Sequence, residues 1–125
     1  MSDIGDIATL FLSVRDQLKV YHWQTHSYPR HKASDNFVDI LTSKMDRFIE
    51  TMQGGRATRL VMSNNDAIVL DNHTDTSADI LLREFRNWLI KVLPKYLKED
   101  ESDLLNLRDE ILAEVNKALY LFTLK

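Results

Sequence analysis

Four stretches of the chain carry apolar residues at alternating steps of three and four, the spacing that lines up one side of an α-helix. The first runs over about residues 3–25 with Ile4, Ile7, Phe11, Val14, Leu18, Tyr21 and Thr25 on its stripe. Ser2 is placed to cap it. The second runs over about 30–53 with Phe37, Leu41, Met45, Phe48 and Met52. Between them His26-Ser27-Tyr28-Pro29 breaks the pattern. Pro29 disfavours helix at Tyr28 and suits the opening of the next helix. Gly54-Gly55 is expected to stop the second helix. The third stripe, over about 77–98, has Leu81, Phe85, Trp88, Leu89, Val92 and Tyr96, and Pro94 should kink or end it. The fourth, over about 103–124, has Leu104, Leu107, Ile111, Val115, Ala118 and Phe122 behind Ser102 as a cap.

The connections order these helices. Residues 54–75 form a long one, with two short apolar runs, Leu60-Val61-Met62 and Ala67-Ile68-Val69-Leu70, around a turn at Ser63-Asn64-Asn65-Asp66. A structureless loop of that length would count against a compact fold, whereas a crossover packed along a bundle does not. Lys98 to Glu101 is short, so the third and fourth helices should be antiparallel neighbours. One long connection between two short ones is the ferritin-like pattern, so the expected fold is an all-α four-helix bundle forming one domain over 1–125. Met45, Met52 and Met62 read as core.

Composition narrows the function classes. There is no cysteine, which removes disulfides, zinc ribbons and thiol nucleophiles and is compatible with a reducing, cytoplasmic setting. The acidic start Met1-Ser2-Asp3-Ile4-Gly5-Asp6 has no signal-peptide character, and no apolar run reaches membrane-spanning length. A net charge of −3 argues against a dedicated nucleic-acid binder.

The second helix carries the candidate chemistry. On a helical wheel His31, Asp35, Asp46 and Glu50 lie at about 0°, 40°, 60° and 100°, so one arc holds an imidazole and three carboxylates. Nitrogen and oxygen donors of this kind suit a borderline or hard metal such as iron. His31 and Glu50 are 19 residues apart, roughly 28 Å along a helix, so one chain cannot close the set. A two-fold axis removes that difficulty. Both 31+50 and 35+46 equal 81, so two copies crossing antiparallel near Ile40-Leu41 would set His31 against the mate's Glu50 and Asp35 against the mate's Asp46. Asp39 and Thr42 share the arc, so the plain alternative is a solvated acidic face.

The stretch His22-Trp23, His31, Asp35, Asp46 and Glu50 resembles the signature of the Dps-type mini-ferritins. The spacings from His31 to Asp35 to Asp46 to Glu50 follow that family, while His22 and His31 are three residues closer than its norm. The likeness is specific over 18–54, weak near Glu114–Tyr120 and absent between. The whole chain also resembles small ferritin-like proteins of large DNA viruses and marine metagenomes. The resemblance implies an inter-subunit site: His22, His31 and Asp35 from one protomer, Asp46 and Glu50 from its two-fold mate. It further implies that Fe(II) binds there and is oxidised by peroxide or oxygen. Some of these proteins bind DNA through a lysine-rich tail, which is missing here, so neither nucleic acid nor membrane is an expected partner.

Other constellations fall away. Glu-x-x-His motifs for a di-iron site inside the bundle are absent, and Glu110 and Glu114 lack a following histidine. Asp71-Asn72-His73-Thr74-Asp75 starts like a calcium loop, but Thr76 and Leu82 stand where glycine and glutamate are required. His22 at the edge of the first stripe also has an ordinary reading, a buried histidine bonded to backbone. The second function class is a metal-free bundle that serves as a structural or interaction module.

Overall fold

The computed structural model describes residues 3–63 and 67–125. The Ser2 cap and the Asn64–Asp66 part of the expected turn lie outside the described residues. Four helices and no strand occur among the described residues: α1 (Asp3–Gln24), α2 (Tyr28–Arg56), α3 (Asp75–Asn87) and α4 (Ser102–Leu121). Helix α1 packs on α2 and α3, and α4 packs on α2 and α3, which is a four-helix bundle with a long crossover over 57–74. No described helix is long and apolar enough to cross a membrane.

The core follows the stripes closely. Phe11 of α1 sits at its centre, edge-on to Phe48 of α2 at 5.5 Å, to Phe85 of α3 at 6.2 Å and to Trp88 at 5.8 Å. Edge-to-face rings at this spacing add to the gain from burial. The whole expected α4 stripe is buried. In the third stretch the buried line runs through Ala78, Leu82, Phe85, Leu89 and Leu93, while Leu81, Trp88 and Tyr96 are only half-buried. Leu81 lies beside that line within the regular helix. After Asn87 the helix widens into a π turn over Trp88–Val92, closed by the Leu93 N–H on the Trp88 carbonyl, and then tightens into a 3-10 turn over Leu93–Tyr96, which brings Leu93 inward. Pro94 has no N–H and cannot continue an α-helix, and Arg108 Nη1 donates to the Leu89 carbonyl at 2.9 Å.

Three boundaries differ from expectation. Helix α2 starts at Tyr28, because Pro29 falls in the first turn, where a missing N–H leaves no bond unmade, and Ser27 caps it by accepting from Arg30 N. Gly54-Gly55 do not stop α2. The helix runs to Arg56, and Ala57, not a glycine, takes the left-handed conformation (φ 52°). Thr58 N–H closes on the Gln53 carbonyl at 3.1 Å, the longer bond of a Schellman cap. Ser102 is the first residue of α4 and not its cap. Glu101 holds that position, and its carboxylate is engaged by Arg56 and by the Lys98 N–H.

The crossover is fastened to α1 by two glutamines. Buried Gln17 donates to the Val69 carbonyl and accepts from Asp71 N–H and His73 Nε2. Gln24 accepts from His73 N–H and donates to Asn72. Of its apolar runs Leu60 packs on the core, but Val61, Met62, Val69 and Leu70 are exposed. Met62 is therefore not a core residue.

Candidate metal centre

The α1–α2 hairpin brings three of the five nominated side chains together. His22 ends α1 and is buried; His31 is in the first turns of α2. Their rings stack at 3.9 Å with an 18° interplanar angle. His22 Nδ1 lies 2.7 Å from the His31 carbonyl oxygen, and His31 Nδ1 lies 2.9 Å from the His22 carbonyl oxygen. A carbonyl only accepts, so both Nδ1 atoms must carry hydrogen. In a neutral ring the lone pair is then left on Nε2, the atom available to a metal. Ser34 supports this assignment: its hydroxyl donates to the His31 carbonyl at 3.1 Å and its oxygen faces His22 Nδ1 at 3.3 Å. The His22 carbonyl is one of the last of α1, without an intrahelical partner, so His31 also caps that helix.

Asp35, one turn beyond His31, reaches the pair. Its Oδ1 is 3.8 Å from His22 Nε2 and 3.5 Å from Lys19 Nζ. Lys19 in turn lies over the Trp23 ring at 5.6 Å. Trp23 is 69% exposed, so it does not wall the site within one protomer. Tyr28 and His26 are exposed at the same end.

Asp46 and Glu50 are not brought to this cluster. Both are exposed further along α2, and neither carboxylate has a hydrogen-bond or ion-pair partner among the described residues. Among the described residues, no group of three or more His, Asp or Glu side chains is arranged to hold a metal by itself.

A second polar cluster lies on the other side of the same hairpin and was not anticipated. Tyr21 Oη donates to Asp75 at 2.6 Å, and Arg30 donates to Tyr21 Oη, to the Asp75 carbonyl and to Asp79. Arg30 also stacks on Phe122 at 4.9 Å. Burial, with the bond to Asp75 second, pushes the Tyr21 phenol above its ordinary range. That same bond holds the Asp75 carboxyl below its usual value, against the opposing effect of burial. Lys19 was likewise missed. The one sequence signal for it was its position a turn ahead of His22, and for Tyr21 and Arg30 it was their adjacency to His22 and His31.

Residues 22–122 match the family of unknown function DUF5856. The chain belongs to that family. The matched stretch contains all five nominated residues, His22, His31, Asp35, Asp46 and Glu50, and leaves out Lys19. No curated protein and no solved structure matches the chain.

The donor types at hand are two imidazole nitrogens and one carboxylate at the hairpin, with two further carboxylates along α2. Such a set fits a divalent first-row metal and offers nothing to soft thiophilic ions.

Proposed function

We propose that the protein is a ferritin-like, Dps-like iron-binding homodimer whose site lies between antiparallel α2 helices. His22, His31 and Asp35 of one protomer would hold Fe(II) together with Asp46 and Glu50 of the mate. The carrying observation is the reciprocal His22–His31 pair beside Asp35, with both Nδ1 atoms committed to carbonyls and both Nε2 lone pairs left over. Asp46 and Glu50 on the same helix, exposed and without a partner among the described residues, support it. Iron is substrate in this reading: each Fe(II) passes one electron to peroxide or oxygen, and the carboxylates favour the Fe(III) product. The chain contributes binding and orientation, since the carbonyl bonds fix both rings before any metal arrives.

A second reading has one observation in its favour. The same His22–His31 bonds close the hairpin and cap α1, a structural role that needs no metal. The protein would then be a metal-free bundle acting as a structural or interaction module.

Metal analysis of protein prepared without chelator, followed by Fe(II) titration, separates the two. The first reading expects binding that an Asp46→Ala/Glu50→Ala double variant loses, and a dimer by sedimentation. Monomer at high micromolar concentration, or no metal at saturating Fe(II), leaves the second.

A further inference from the structure

Asp35 Oδ1 is shared. His22 Nε2 approaches it at 3.8 Å and Lys19 Nζ at 3.5 Å. A metal bound by His22 Nε2 and Asp35 must sit between those two atoms, where the carboxylate now faces an ammonium group. Resting on the metal reading above, we infer that Lys19 is a resident counter-cation that an entering divalent metal displaces from Asp35.

Three features fit displacement and not a fixed structural bridge. The pair is half-exposed, 36% for the Lys19 side chain and 49% for that of Asp35, and ion pairs of that exposure are weak. Among the described residues the Asp35 carboxylate has no hydrogen bond, only these two longer contacts. The ammonium also has a second seat. The Trp23 ring, one turn on, already lies under Lys19 at 5.6 Å, and an aromatic face attracts a cation. Lys19 thus lowers the charge of the empty site and sets a threshold: a cation must outbid an ammonium group, which a dication does far better than a monovalent ion.

The test measures Zn(II) binding by calorimetry on the full chain. Zn(II) is redox-inert, so binding is read without oxidation. Lys19→Met should tighten the dissociation constant about three- to tenfold at low salt, and the gap should narrow near half-molar salt as charges are screened. Lys19→Arg, which keeps the charge, and Lys91→Met, which loses an equal charge elsewhere, should stay within about twofold of the original protein. Equal constants for Lys19→Met and the original protein overturn the counter-cation role while leaving the metal reading standing. No Zn(II) binding by any of the four proteins overturns both.

Discussion

Tyr21 and His22 are neighbours in the chain, as are Arg30 and His31, yet the two pairs build opposite kinds of cluster. Tyr21, Arg30, Asp75 and Asp79 face the start of α3 and close on one another with bonds of 2.6 to 3.2 Å. His22 and His31 bind inward to backbone through Nδ1, but on the outward side the Asp35 carboxylate meets His22 Nε2 only at 3.8 Å and Lys19 Nζ only at 3.5 Å. A polar cluster that serves folding satisfies itself, because each unpaired buried group costs free energy. A cluster that serves a ligand must leave good donor atoms uncommitted. The hairpin carries one closed cluster and one with uncommitted donor atoms, and five variants, here and at the far end of the bundle, test what that difference means.

Arg30→Ala should have the largest effect. It removes the donor to three partners and the stack on Phe122, so a loss of about 2–3 kcal/mol is expected. Thermal melting should fall by about 10 °C for a domain of this size. The gain in stability on adding metal should persist. A lost metal response in folded Arg30→Ala would break the distinction between the two clusters.

His31→Ala should behave conversely. Without metal it costs about 1 kcal/mol, the loss of one capping bond. With metal at a hundredfold excess over Kd, it should also forfeit the roughly 2.7 kcal/mol that binding to the folded state confers. Asp39→Ala, on the same arc but outside the nominated set, should keep that gain. The gain should be large at pH 7.5 and small at pH 5, since protons compete for imidazole lone pairs. Equal effects of the two substitutions would reduce the arc to an acidic surface.

Glu101 extends the comparison to the far end of the bundle, where a third cluster is closed. Arg56 donates to both carboxylate oxygens at 2.8 and 2.9 Å and to the Tyr96 carbonyl at 2.8 Å. The Arg56 guanidinium, with the Lys98 N–H, lowers the Glu101 carboxyl from 4.5 to about 2. A folded-state value below the unfolded one means the stabilisation is full above about 4.5 and is lost as pH falls through about 2. Glu101→Gln should therefore cost about 1–2 kcal/mol at pH 7, and the gap from the original protein should close across that window in urea titrations. A gap that does not change with pH would show that the cluster holds by packing and not by charge.

The smallest effect is a gain. Ala57 pays for a left-handed conformation that glycine adopts freely, so Ala57→Gly should add about 0.5 kcal/mol and leave metal binding unchanged. Destabilisation would mean that the Ala57 methyl packs usefully enough to outweigh its backbone strain.

Much of the bundle was legible before any coordinates. Phe11, Phe48, Phe85 and Ile111 were assigned to core stripes and are buried. The long crossover and the break between α1 and α2 were also read correctly. The two ends of α2 and the cap of α4 were not, because they turn on single bonds. A cap at Ser27 outweighs the preference of Tyr28 before proline, and an alanine ends α2 because its backbone finds the Gln53 carbonyl. Met62 was misjudged as core, since the crossover is held by polar bonds from buried Gln17 and exposed Gln24 while Met62, Val61 and Val69 stay exposed.

The arc of His31, Asp35, Asp46 and Glu50 follows from the sequence alone, because helical geometry makes angular position a function of residue number. So does the separation of its two ends, roughly 28 Å along one helix, which is a matter of rise per residue. Only the tertiary structure decided that His22 crosses the turn to stack on His31, that both rings spend Nδ1 on carbonyls, and that Lys19 reaches Asp35 first. These contacts join residues on different helices. Their geometry depends on how α1 and α2 pack and on a three-residue turn, and neither is encoded in the period of a single helix.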